Sequence, residues 1–298
     1  MPAPIALFVY NRLWHTKQTV ESLIQNELVN ETSLHIFSDG AKSEADVERV
    51  MAVRKYIHSI NGFKSLTITE SKPNKGLANS IITGVSEILS TNESIIVLED
   101  DMITSPYFLT YMNKALELYE NNEEVISVHG YVWPVSKDLP ETFFLRGADC
   151  WGWATWNRGW KIFDPDGQRL LDQIKERKLT YDFDFYGAYS YTRMLKKQVK
   201  GKNDSWAIRW YASAFLNDKL TLYPGKSLLR NIGNDASGTH SWDNERFNQS
   251  TLADIIQLEK IEKRENVEAK KIISEYYKSS NPSIFLKIYY RLKFIFKA

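Results

Sequence analysis

The stretch Ser94-Ile95-Ile96-Val97-Leu98-Glu99-Asp100-Asp101-Met102 carries an apolar, β-branched run straight into three consecutive carboxylates. Adjacent carboxylates repel one another, and a divalent cation coordinated by oxygen relieves that repulsion. The pattern predicts a strand whose end holds a metal. Side chains alternate along an extended chain, so Glu99 and Asp101 are expected on one face and Asp100 on the other. The plainer reading is an acidic turn capping a helix that starts near Pro106. Three acids directly after the apolar run favour the site.

Other polar groups with useful chemistry also follow apolar segments. Tyr10, Asn11 and Arg12 follow the strand from Ile5, Asp39-Gly40 follows Ser33 to Ser38, and Lys72 to Gly76 follows Ser65 to Thr69. An arginine can pair with a diphosphate, an aspartate can accept from a base or a ribose hydroxyl, and a glycine lets backbone approach a ligand. Taken singly, each also reads as a turn or a loop hinge. Their convergence on one sheet edge is the stronger signal, because ligands of open α/β sheets bind beyond the carboxyl ends of the strands.

These groups need a scaffold, and the periodicity supplies one. Strand patterns alternate with helices from Thr16, from about Ser43 to Ile60 and from Leu77 to Leu89. A helix from Ser105-Pro106 to about Asn121 and a strand from Val125 to Val128 follow. Such alternation predicts an α/β fold with a mostly parallel sheet flanked by helices. Phe143 to Arg146, Leu220 to Tyr223 and Ser227 to Ile232 read as extended, 167–217 as mainly helical, and Gly233 to Trp242 as a loop carrying His240. Asp149 to Trp160 reads as a loop holding Trp151, Trp153, Trp156 and Trp160. Sugar rings stack on such aromatic faces, although the same residues would equally brace a wall. Leu252 to Tyr277 is expected as one amphipathic helix.

With 298 residues and a formal net charge of +1, the chain can bury a full core but offers no field for nucleic acid. The lone cysteine, Cys150, excludes an internal disulfide and reads as a packed thiol suited to a reducing compartment. The first residues lack the features of a secretory leader. A cytoplasmic protein is expected, in peripheral contact with a membrane through the tail after Glu275, which has no acids and whose basic and aromatic residues, from Lys278 to Lys297, suit an anionic interface. A helix docked on the body or on a second subunit is the equal alternative for that tail.

Three segments together resemble the GT-A fold of nucleotide-sugar-dependent glycosyltransferases: Tyr10-Asn11-Arg12, Asn74-Lys75-Gly76-Leu77-Ala78-Asn79 and Glu99-Asp100-Asp101. The carboxylate triplet followed by Ser105-Pro106-Tyr107-Phe108 is similar to the inverting N-acetylglucosaminyltransferases that initiate complex N-glycans. Arg146-Gly147-Ala148 through Gly152-Trp153 resembles their acceptor-side loop. Asn203-Asp204-Ser205-Trp206 with Arg209 resembles the segment that holds their catalytic base. The likeness spans roughly residues 4–245. It implies a catalytic domain over 1–250, with a donor half to about 130 and an acceptor half beyond it, and a C-terminal helix and tail over 251–298.

The resemblance implies particular roles. Asp101 would ligate Mn2+ or Mg2+, Asp100 the ribose or donor sugar, and Glu99 the donor or its neighbours. Arg12 and Asp39 would read phosphates and nucleoside, with Asn79 near the diphosphate and Tyr10, Asn11 and Lys75 also on the donor side. Trp151 and Trp153 would face the acceptor, Asp204 would be the general base, and His240 a further metal or phosphate contact. The implied donor is a nucleotide sugar, UDP-linked by preference, and the acceptor a glycan or lipid-linked hydroxyl of bacterial surface polysaccharide. A sugar nucleotidyltransferase is the nearest alternative, but its glycine-rich turn is missing from Tyr10-Asn11-Arg12-Leu13-Trp14. A non-catalytic carbohydrate- or nucleotide-binding protein is the other. A glycosidase would need two acids opposed across a cleft.

Overall fold

The computed structural model describes residues 1–235, 247 and 251–280. His240 and the part of the basic, aromatic tail over 281–298, both singled out by the sequence, lie outside the described residues.

The first part of the chain alternates strand and helix: β1 (Ile5–Val9), α1 (Leu13–Ile24), β2 (Ser33–Ser38), α2 (Glu44–Ile57), β3 (Ser65–Glu70), α3 (Leu77–Leu89) and β4 (Ser94–Glu99). A short β5 (Met102–Thr104), α4 (Phe108–Leu118), β6 (Val125–His129), β7 (Thr142–Arg146) and β8 (Trp153–Trp156) follow. Then come α5 (Asn157–Trp160), α6 (Gly167–Glu176), α7 (Thr180–Phe183), α8 (Tyr191–Val199), α9 (Trp206–Leu216), β9 (Leu220–Pro224), β10 (Leu229–Asn231) and α10 (Val267–Ser280).

Eight strands form one sheet in the order β3-β2-β1-β4-β8-β6-β9-β7, and only β8 and β7 run against the rest. The fold is therefore mixed α/β with a mostly parallel, helix-flanked sheet, as the alternation predicts. Every residue of β1 and β6 is buried, which is what a strand covered by helices on both faces requires. In α3, Ala78, Ile81, Val85, Ile88 and Leu89 recur at helical spacing and are buried in the layer that includes Ala6, Phe8, Ile95 and Val97.

The chain moves outward from β1 through β2 to β3, then crosses back to pair β4 with the other side of β1. The strand order reverses there. Crevices that take ligands form at such reversals, beyond the carboxyl ends of the strands. Phe8 stands opposite Glu99 in the β1–β4 ladder, so Arg12 and the carboxylate triplet emerge side by side.

Two expected elements differ. The tryptophan loop over Asp149 to Trp160 is partly sheet: β8 inserts antiparallel between β4 and β6, pairing Trp153 with Val97 and with His129. The expected helix over Leu252 to Tyr277 forms only as α10, and 251–266 is an extended strap. Its backbone is claimed by the body, since Ala253 N–H donates to Ser227 O, Gln257 N–H to Glu141 Oε1 and Asn266 N–H to Phe144 O. Such partners satisfy groups that a helix would otherwise pair internally. Among the described residues no helix is long and apolar enough to cross a membrane.

Candidate functional site

β4 ends at Glu99, and the chain turns through Asp100 and Asp101 before β5. The turn breaks the expected alternation. Instead of facing opposite ways, both aspartates meet the Arg12 guanidinium: Nη2 donates to Asp101 Oδ2 at 2.7 Å and, at closer range, to Asp100 Oδ1. Thr19 of α1 pins the turn, donating from Oγ1 to Asp100 O at 2.9 Å and accepting from Met102 N–H at 3.0 Å.

Asp100 and Asp101 are 5% and 8% exposed, and Asp100 Oδ2 and Asp101 Oδ1 are buried without a hydrogen-bond partner among the described residues. An orphaned carboxylate oxygen in a buried turn is costly unless a cation or donor reaches it. Charge points the same way. Burial pushes the Glu99 carboxyl well up, with Asp101 and Asp100 adding repulsion. Burial also raises Asp100, and neither Arg12 nor His15 fully offsets it. Burial works against the Arg12 charge, yet Asp100 and Asp101 hold it protonated above its ordinary value. One guanidinium does not neutralise three clustered carboxylates. The donor set, two aspartate oxygens in a turn, fits a hard divalent cation that completes its shell with water and phosphate oxygens. Among the described residues no three histidines, cysteines or carboxylates are arranged to hold a metal ion by themselves.

A second layer rests against this turn that the sequence motifs did not single out. β10 pairs antiparallel with β5, and the chain continues so that Ile232 N–H donates to Asp101 O at 2.8 Å. A Cβ on Gly233 would sit 2.0 Å from Asp101 Oδ2, so only a glycine leaves room for the carboxylate. Asp235 Oδ2 meets His15 Nε2 at 3.0 Å, linking this segment to the first turn of α1. The one available signal for His15 was its spacing, three residues after Arg12, on the same helical face.

Asp39 is buried, and its carboxylate serves the loop before α3. Oδ1 accepts from the Gly40 and Lys75 N–H groups at 2.9 and 2.8 Å, and Oδ2 from Asn74 Nδ2 and Gly76 N–H at 3.0 and 2.9 Å. Four donors fill the four lone-pair directions of a carboxylate. Asn79 Nδ2 donates to Lys75 O at 2.9 Å from the first turn of α3, tightening the same loop. Tyr10 and Asn11 engage the start of α2: the Tyr10 hydroxyl accepts from Lys42 N–H at 2.9 Å and Asn11 Nδ2 donates to Asp46 Oδ1 at 3.0 Å.

On the other side of β4, the tryptophans divide. Trp153 is fully buried and stacks on Trp206 with ring centres 5.5 Å apart, beside Trp160 and Trp210. This corrects its expected acceptor-facing role, because a side chain packed among three indoles presents no face to a ligand. Trp151 is half-buried, with its ring 4.8 Å from Tyr131, and its N–H donates to His129 Nε2 at 3.1 Å. That bond assigns the His129 proton to Nδ1, which donates to Tyr131 O at 2.9 Å. Gly147 and Gly152 adopt φ values of +103° and +56°, left-handed backbone that lets the loop reverse twice around Asp149, Cys150 and Trp151. Burial, then Asp149 and Glu99, push the Cys150 thiol up, so it stays protonated and inert.

Asp204 precedes the Ser205 cap of α9, whose hydroxyl accepts from Ile208 N–H. The Trp206–Trp153 stack sets this helix start against β8, two residues short of the end of β4 in the ladder. The Asp204 side chain is 65% exposed and takes Arg209 Nη2 at 3.2 Å. Arg12, Asp100 and Asp101 are thus brought together, while Asp39 and Asp204 stand apart from them with partners of their own.

No protein-family model matches the chain, and no curated protein does. Among solved structures it is similar to the mannosyltransferase PcManGT from Pyrobaculum calidifontis in complex with GDP-Man and Mn2+. Identity there is 16% over 44% of this chain and 37% of that one, with a TM-score of 0.33. TarS of S. aureus matches at 11% identity over 78% of this chain and 37% of that one, with a TM-score of 0.42. UDP-glucose pyrophosphorylase complexed with UDP-glucose matches at 13% identity over 74% of this chain and 90% of that one, with a TM-score of 0.36. The chain spans 37% of the length of each of the first two.

Proposed function

We propose that the protein is a metal-dependent, inverting glycosyltransferase that moves a sugar from a nucleoside-diphosphate donor, UDP-linked by preference, to the hydroxyl of a glycan or lipid-linked acceptor. One observation carries the reading. Two nine-tenths-buried aspartates, each with an oxygen unpartnered among the described residues, lie opposite an arginine at the point where the strand order reverses.

In this reading Asp100 and Asp101 hold Mn2+ or Mg2+, which when bound neutralises the diphosphate leaving group without a proton. Arg12 pairs with phosphate oxygens. Asp39 holds the Asn74–Gly76 loop in the shape that receives the nucleoside, with Lys75 and Asn79 on its rim. Glu99 stays next to the donor sugar, and Trp151 offers its half-exposed face to the acceptor. Asp204 takes the acceptor proton as its oxygen attacks, and direct displacement inverts the anomeric centre. Its exposed position leaves it open to an incoming hydroxyl.

The test is incubation of the full chain with Mn2+ and a panel of UDP-, GDP- and CDP-sugars, following release of free nucleoside diphosphate. We expect turnover with one nucleotide class, and its loss in Asp101→Asn. Release of pyrophosphate instead would assign a nucleotidyltransferase, and absence of any donor turnover would leave a binding protein.

A further inference from the structure

The turn over Asp100 and Asp101 already holds a cation, and that cation belongs to the chain. Arg12 reaches both carboxylates through one nitrogen, Nη2, so it bridges the pair as a point charge would. The parallel two-bond fork that makes arginine–carboxylate pairs tight is not formed. One oxygen of each aspartate is left without a partner among the described residues. The backbone around Arg12 is anchored independently, since its carbonyl accepts from Thr16 N–H at 3.0 Å and Thr16 Oγ1 at 2.9 Å. The side chain can therefore leave while α1 stays in place.

We infer that Arg12 is a displaceable counter-cation: it holds the aspartate pair together in the ligand-free protein and yields it to a divalent cation when a diphosphate supplies the guanidinium with a new anion. The inference rests on the donor reading above. A metal arriving alone must expel Arg12 from its two carboxylate partners into water. A metal arriving with a diphosphate exchanges those partners for phosphate oxygens. Metal and nucleotide then bind as coupled ligands, each raising affinity for the other by the same factor. Gly233 belongs to the same device, because a Cβ there would also sit 3.1 Å from Arg12 Nη1 and crowd the guanidinium beside the Asp101 carboxylate.

The experiment is Mn2+ binding to the full chain, read from the electron paramagnetic resonance signal of free Mn2+, with and without UDP. Arg12→Gln removes the competitor. It is expected to bind Mn2+ alone about ten-fold more tightly than wild type and to lose about five-fold of the gain that UDP confers. Adding Asp101→Asn to Arg12→Gln should abolish the tighter binding, which places the metal at this turn. Arg12→Lys keeps the charge, and so guards against failure of the glutamine variant to fold. Its ammonium is the more readily displaced partner, and about three-fold tighter binding of Mn2+ alone is expected. Unchanged or weaker Mn2+ binding in the folded variants overturns the inference. Failure of the glycosyltransferase reading looks different: no sugar nucleotide turns over in wild type, while Arg12→Gln still binds Mn2+ more tightly.

Discussion

Arg12 and Asp101 lie 89 positions apart in the chain and meet at 2.7 Å, each at the carboxyl end of one of two paired parallel strands. The contact depends on β4 returning to the side of β1 that β2 leaves free, and it sets a guanidinium against two buried carboxylates in the crevice where the strand order reverses.

Gly233 tests how tightly that crevice is built. We predict that Gly233→Ala pushes the Asp101 carboxylate aside at a strain of about 1–3 kcal/mol, seen as at least about ten-fold weaker binding of UDP with Mn2+. Because Gly233 lies outside every strand and helix, the far-ultraviolet circular dichroism spectrum should stay unchanged. Wild-type nucleotide affinity in this variant would show that the segment after β10 does not shape the site.

Trp153 and Trp151 separate core from site. Trp153→Ala opens a cavity among three indoles and should cost about 3–5 kcal/mol in denaturant unfolding. Trp151→Ala should cost about 1 kcal/mol while raising KM for the acceptor more than KM for the donor. The reverse ranking in stability would contradict the burial that distinguishes them.

Asp39→Asn replaces two accepting oxygens by one and turns an amide NH2 toward groups that themselves donate. The expected cost is about 2–3 kcal/mol, together with faster hydrogen exchange at the Lys75 and Gly76 amides. Unchanged exchange there would remove Asp39 as the clamp of that loop.

Asp204 makes the opposite demand. Its carboxylate is the exposed partner of a buried Arg209 that also donates to Ser205 O and Pro165 O, so Asp204→Asn should stay within about 1 kcal/mol of wild-type stability and keep donor affinity. Transfer to the acceptor should fall about 10²- to 10⁴-fold. Near-normal transfer would move the general base elsewhere.

His129 gives a pH dependence. Burial holds its imidazole below the ordinary value of 6.5, against the pull of Asp149 and the Tyr131 carbonyl, with the Tyr223 ring packed 4.9 Å away. The unfolded chain therefore takes up the proton first. His129 contributes stability that is full above about pH 6.5 and is progressively lost as pH falls from there toward 5.5. Denaturant unfolding at the two pH values should show this loss in wild type and a smaller one in His129→Gln, whose amide oxygen can still accept from Trp151 N–H.

Much of the first part of the chain could be read from local pattern. Apolar runs and helical spacing set the order of strands and helices up to β4, and the polar residues at the strand ends followed from that order. The part beyond β6 could not be read so. The stretch around β8 is rich in tryptophan and glycine and has the composition of a loop, and its four residues Trp153–Trp156 are a strand only because β4 and β6 present open edges to them. Residues 251–266 have helical composition, but backbone partners on the body outbid the helix.

By itself the sequence determined that an apolar strand ends in Glu99, Asp100 and Asp101, and that an arginine follows the first strand, because periodicity and residue type are properties of neighbours in the chain. Only the tertiary structure decided that both aspartates turn to the same guanidinium, that Gly233 backs the carboxylate, and that Trp153 is sealed from ligand. Each of these depends on which distant segments pack together, and strand order, register and the volume left between packed layers are settled by the whole fold at once.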